Sequence, residues 1–172
     1  SAQTLLDLRA KTPIRNLEGG DCLIYKEPIK GHFYFTVVDT SRGAGIDYSA
    51  FTIIDCTKMP YEVVAVYRSN NIDPLIYPNI IVPTCKYYNE SHIMVENNDI
   101  GQQICDIIYQ DLEYENLIFT KFMGRAGQII GGGFGGQVQR GVKTTKQVKR
   151  MGCASLKTML ENNKIITNDY NI

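Results

Sequence analysis

The sequence predicts an α/β domain built on a mixed sheet, in which three antiparallel strands are followed by parallel strands joined by helices. Three observations carry this. Apolar, β-branched runs with short, turn-rich connections fill the first part of the chain. After Asn70 the apolar period changes to that of helices. From there strand-like and helical runs alternate to the end. The 172 residues suit one domain of roughly 100–200 residues. With 44% hydrophobic and 21% charged residues, the composition is that of a folded domain rather than a disordered chain. No apolar run approaches the roughly 18–20 residues of a membrane span, so no membrane partner is expected. Ser1-Ala2-Gln3 begins no signal core and lacks Met, so the chain reads as a fragment.

Residues 1–32 form a mixed lead-in, with a helical turn or two over residues 4–11 and a short strand at Cys22-Leu23-Ile24-Tyr25. Phe33 to Val38 has no polar face, which predicts a strand buried on both sides and ending at Asp39. After a glycine-bearing loop come strands at Ser49–Cys56 and Tyr61–Tyr67. Asp73-Pro74 predicts a helix start, with Asp73 as N-cap, and Pro83 predicts a kink or an end. His92–Val95 is a fourth strand, placed beside and parallel to the first, and it ends at Glu96. Asn98 or Asp99 is expected to cap the next helix, whose Ile100, Ile104, Ile107 and Ile108 share a face. Asn116–Thr120 is a fifth strand, and a basic helix over residues 143–162 leads to a last strand at residues 164–167.

With the fourth strand against the first, Asp39 and Glu96 end neighbouring strands. Two carboxylates about 4 Å apart repel by about 4 kcal/mol at an effective dielectric of 20. A divalent cation removes the conflict, and oxygen-only donors favour Mg²⁺ or Mn²⁺ over Zn²⁺. The residues alone leave open a plainer arrangement, with Asp39 capping the following turn and Glu96 in solvent. Asp47 is a weaker candidate outer ligand, reaching back across the loop. His32 and His92 stand at strand starts, at the wrong ends for this site. The five cysteines are widely spaced without a C-x-x-C pair, so free thiols are expected.

From Gly124 to Gly141 there are eight glycines in eighteen residues, without the Gly-Lys-Ser/Thr ending of a phosphate loop. A flexible hairpin flap beside the site is expected there. Net charge is zero, yet residues 121–164 hold nine basic residues against the single acid Glu161. Such segregation suits a polyanion, or simply a solvated helix face. Arg125, Arg140, Lys143, Lys146, Lys149 and Arg150 are the candidate DNA-contacting residues, with Lys143, Lys146, Lys149 and Arg150 mostly on one helix face.

The stretches Val37-Val38-Asp39-Thr40-Ser41-Arg42-Gly43-Ala44-Gly45-Ile46-Asp47-Tyr48-Ser49-Ala50, Ile93-Met94-Val95-Glu96-Asn97-Asn98 and Asp111-Leu112-Glu113-Tyr114-Glu115-Asn116 resemble the nuclease domain of the large terminase subunit of T-even-like tailed phages. The resemblance continues through Val148-Lys149-Arg150-Met151-Gly152-Cys153-Ala154-Ser155-Leu156-Lys157 and covers about residues 30–168. It implies an RNase H-like mixed sheet over residues 33–172, incomplete at its C-terminal end, with residues 124–141 as a glycine-rich insertion. It also implies a two-metal endonuclease that cuts concatemeric double-stranded viral DNA during headful packaging, with Mg²⁺ or Mn²⁺ held by Asp39 and Glu96 as catalytic carboxylates. The family's third catalytic aspartate lies in a segment that Asp169 does not match, so weak activity is expected of this chain. The implied partners are viral DNA, an N-terminal ATPase domain, the portal and the small terminase subunit, in the cytoplasm of an infected bacterium. Two other readings share the observations. An actin- or sugar-kinase-like nucleotide-binding domain has the same core topology, and a DNA-gripping module without chemistry needs only the basic helix.

Overall fold

The computed structural model describes residues 11–17, 21–122, 128–131 and 138–169. Its centre is the predicted meander: β3 (Tyr34–Asp39), β4 (Ser49–Asp55) and β5 (Tyr61–Ser69). Each pairs antiparallel to the next. The fourth predicted strand, β6 (His92–Val95), lies parallel to β3 with Val38 opposite Val95. Two strands of the lead-in, β1 (Arg15–Leu17) and β2 (Cys22–Ile24), extend the sheet beyond β5 to give the order β1-β2-β5-β4-β3-β6. β10 (Ile165–Ile166) pairs parallel with the start of β5. Among the described residues the helices are α1 (Pro78–Tyr87), α2 (Gly101–Asp106, continued by a π turn over Ile107–Asp111) and α3 (Lys146–Glu161). No helix among the described residues is long and apolar enough to cross a membrane.

One face of the sheet meets α1 and α2 and forms the core. Tyr34, Val38, Phe51, Ile53 and Tyr67 come from the sheet, and Tyr77, Ile81, Cys85, Tyr88, Ile104 and Ile108 from the segments around α1 and α2. Phe51 stacks on Tyr67 at 5.1 Å and Tyr67 on Tyr77 at 5.5 Å between ring centroids. Burying each such side chain contributes about 1.5–3 kcal/mol. The other face is less covered. β3 therefore alternates instead of being buried on both sides: Tyr34, Thr36 and Val38 are buried, whereas Val37 is 43% exposed. Helices pack fully against only one side here, and that corrects the expectation of a two-sided strand.

Further corrections have local causes. Asp73 does not begin α1. Its carboxylate accepts from Leu75 N at 2.8 Å in a preceding turn, and the helix proper starts at Pro78. Pro83 does not end that helix, because the carbonyl it frees belongs to Asn79, and both residues are exposed to water. Neither Asn98 nor Asp99 caps α2 through its side chain. The predicted fifth strand is split. Ile93 N donates to Asn116 O and Ile118 N to Ile93 O, and then the chain leaves the sheet. It returns at Val142, whose N donates to Val95 O at 2.8 Å, while Asn97 N donates to Val142 O. Gly141, at φ +73°, makes this return possible: a Cβ there would lie 2.3 Å from Val95 O.

Between these points lies a small separate sheet of β7 (Phe119–Phe122), β8 (Gln128–Ile130) and β9 (Val138–Arg140), in the order β8-β7-β9. The glycine-rich segment thus does not form the expected hairpin, since β8 and β9 flank β7 instead of pairing with each other. Gln128 knots it together: its side-chain Oε1 accepts from Gln139 Nε2 at 2.6 Å and from Lys143 N at 2.9 Å. Residues 123–127 and 132–137, most of the expected flap, and the helical turn expected at residues 4–10 lie outside the described residues.

Candidate metal centre

Parallel pairing of β3 and β6 brings their C-terminal ends side by side. Glu96 N donates to Val38 O at 2.8 Å, so Asp39 and Glu96 leave the sheet as neighbours. Glu96 is close enough to raise the proton affinity of the Asp39 carboxyl. Burial of the Asp39 carboxyl, together with Glu96 beside it and the charge of Asp47, pushes Asp39 up to about 6; Thr40 N, donating at 2.9 Å, works in the opposite direction. Asp39 nonetheless remains exposed as a residue, so an incoming ligand can reach it.

The supporting contacts around Glu96 were not predicted from the sequence. Asn98 Nδ2 donates to Glu96 Oε1 at 2.9 Å and to Thr144 O at 3.3 Å, which ties the acid to the approach of α3. Gly101 packs directly on the Glu96 backbone, where a Cβ would lie 1.9 Å from Glu96 O. Arg42 Nε and Nη2 each donate to the Asp99 carboxylate at 2.7 Å. Arg42 stands three residues after Asp39 and Asp99 three after Glu96. Once the two strands are known to be parallel neighbours, that equal offset of opposite charges is the signal in the sequence that reveals the pair. An open polar cleft of about 550 Å³ adjoins the site, lined by Asn98, Asp99, Gln102, Gln139 and Lys143 among others.

The donor set suits a hard divalent cation: two carboxyl groups held together against their repulsion. Among the described residues, no group of three or more His, Cys, Asp or Glu side chains converges as a metal cluster. Asp47 lies exposed in the loop and contributes its charge from there. Asp169 is elsewhere, its Oδ2 accepting from Tyr25 OH at 2.5 Å. Its neighbour Asn168 donates to Val63 O, near the start of β5, whereas Asp39 is level with Arg68 near the end of that strand. His32 pairs with Asp55 at 2.7 Å and His92 lies against Phe33, both away from the acids. Cys22, Cys85 and Cys105 are buried outside any disulfide, Cys56 is half-buried, and Cys153 is exposed on α3.

The basic residues divide. Lys146, Lys149 and Arg150 are exposed on α3, whose N-cap Thr145 accepts from Val148 N. Lys143 is exposed but precedes the helix, so it does not share the helix face. Arg140 is engaged elsewhere: its Nη1 donates to Asp106 Oδ1 at 2.5 Å, and its guanidinium lies 4.8 Å over the Tyr109 ring. Arg125 lies outside the described residues.

The architecture has close counterparts. The large terminase nuclease of thermophilic phage G20c, with bound magnesium, superposes with a TM-score of 0.69 at 14% identity, covering 97% of this chain and 74% of that one. The Thermus phage P74-26 large terminase nuclease domain gives 0.66 at 14% identity, covering 99% and 74%. The human cytomegalovirus terminase nuclease domain, soaked with manganese, gives 0.55 at 12%, covering 98% and 76%. At such identities these likenesses establish the fold, a mixed RNase H-like sheet. Residues 36–171 also match the family model of the terminase RNaseH-like domain. The chain therefore belongs to the terminase RNase H-like domain family.

Proposed function

We propose that this domain is a divalent-metal-dependent endonuclease of a phage terminase large subunit, hydrolysing phosphodiester bonds of double-stranded viral DNA during packaging in the infected host. The observation that supports this most directly is the pairing of Asp39 and Glu96 at adjacent strand ends, with Asp39 pushed up to about 6. Two like charges kept together serve no purpose in stability and fit a site that binds a cation. Bound there, Mg²⁺ or Mn²⁺ would lower the pKa of a water molecule and offset the charge that develops on the phosphate. The chain's part is to hold Asp39 and Glu96 at the mouth of the sheet, with Asn98 orienting the Glu96 carboxylate. Lys146, Lys149 and Arg150 would hold the DNA backbone without reading its sequence. The ATPase domain, the portal and the small terminase subunit are the partners this reading implies.

Plasmid nicking with Mg²⁺ or Mn²⁺ tests it, on this chain and on its Asp39→Asn and Glu96→Gln variants. The chain is expected to nick weakly, and both variants to lose about 10²-fold or more of that rate. DNA binding without nicking by any form would leave only a gripping module.

A further inference from the structure

We propose that Arg42 and Asp99 form a latch that fixes the spacing of the two acid-bearing loops and so sets the metal affinity of the site; this rests on the metal-site reading above. The geometry is symmetrical. β3 and β6 run parallel with Val38 opposite Val95, so the loops that follow them depart side by side. Each loop carries its half of the ion pair three residues beyond its acid. The pair is bidentate, with both nitrogen–oxygen distances 2.7 Å, and it joins residues 57 apart in the chain. Asp99 adopts φ +50°, a left-handed backbone that a non-glycine residue enters at a cost.

Stability does not account for such a pair. The side chains are 74% and 59% exposed, and an ion pair in water contributes little to folding. Location gives it a use. Asp39 and Glu96 repel each other, and that repulsion acts to spread the two loops. A bidentate arginine–carboxylate bridge across the same loops opposes the spreading and has one preferred geometry. Asn98 and Gly101 fix Glu96 from its own side of the gap, whereas the latch spans the gap itself. Arg42 and Asp99 are therefore positioning residues that act through the acids.

A simple electrostatic role and a latch predict opposite signs. If Arg42 were only a nearby positive charge, neutralising it would tighten binding of a cation. If it is half of a latch, neutralising it weakens binding. Mn²⁺ titrations followed by water-proton relaxation decide between them, on the chain, on Arg42→Gln, on Asp99→Asn and on the exchanged pair Arg42→Asp with Asp99→Arg. Both single variants are expected to bind Mn²⁺ about two- to fivefold more weakly, and the exchanged pair to recover affinity to within about twofold of the parent. Melting temperatures are expected to stay within about 1 °C, as for exposed pairs. Unchanged or tighter binding by Arg42→Gln, or an exchanged pair as weak as the single variants, overturns the latch. Asp39→Asn separates the two claims. If it abolishes Mn²⁺ binding while Arg42→Gln leaves it unchanged, the latch alone fails; if it leaves binding intact, the site assignment fails and the latch with it.

Discussion

Asp39 carries its proton to an unusually high pH for an aspartate, and stability and metal binding both follow from that. Its native value of about 6 stands above the ordinary 3.8. The native state therefore holds a proton that the unfolded chain has released between those values, and stability falls as pH rises through that window. Above it the full penalty of the ionised pair is present. Asp39→Asn removes that penalty, so its melting temperature at pH 7.5 without metal is expected to exceed the parent's by about 2–4 °C, on the order of 1 kcal/mol after solvent screening. Below about pH 4 the gain should vanish, because both states of the parent are then protonated. Scanning calorimetry at the two pH values checks it, and a variant less stable than the parent at pH 7.5 would contradict the assignment. Metal binding by the parent should weaken as pH falls below about 6, by up to tenfold per unit, as the proton competes for the same oxygen.

Elements, more than residues, decide how much of this was legible in advance. The three-strand meander and the parallel return of β6 were readable because β-branched runs and short connections leave few other pairings, and those two features alone bring Asp39 and Glu96 together. The start of α1 was misplaced because Asp73-Pro74 satisfies the rules for a helix start and for a turn equally well. The cap of α2 was misassigned because Asn98 uses its amide on Glu96 and Thr144, a tertiary demand that local pattern does not show. Gly101 is another such case. Alanine in a helix gains about 1 kcal/mol over glycine, yet a Cβ here would meet a backbone carbonyl at 1.9 Å, which no side-chain rotation relieves. Gly101→Ala is expected to destabilise by about 1–3 kcal/mol in urea unfolding and to weaken Mn²⁺ binding, since the displaced group is the backbone of Glu96. On α3, replacing Lys146, Lys149 and Arg150 by alanine is expected to lower the slope of log affinity against log salt by about 2–3. Arg140→Ala, already paired with Asp106, should leave that slope unchanged in the same fluorescence-anisotropy titration.

At the scale of the whole molecule, the asymmetry between the two faces of the sheet dominates. One face is sealed by tyrosines and isoleucines; the other leaves Phe33 47% and Val37 43% exposed, and α3 has no buried residue. Apolar side chains left open on a sheet face attract hydrophobic dyes and neighbouring molecules. The chain is expected to bind a naphthalene sulfonate dye in its native state, and Val37→Thr to reduce that fluorescence without lowering the melting temperature by more than about 2 °C. The divided fifth strand bears on the protein as a scaffold. Gly141 N already donates to Ile118 O at 2.8 Å, so the ends of the excursion from Phe119 to Arg140 are in contact before anything is inserted between them. Closing such a loop costs only about 0.6 kcal/mol more for each doubling of its length. The strand pairing of the main sheet is thus insensitive to the length of what leaves and re-enters at that point, which makes it a port where a sequence of another length could be exchanged, provided that Arg140 keeps its tie to Asp106.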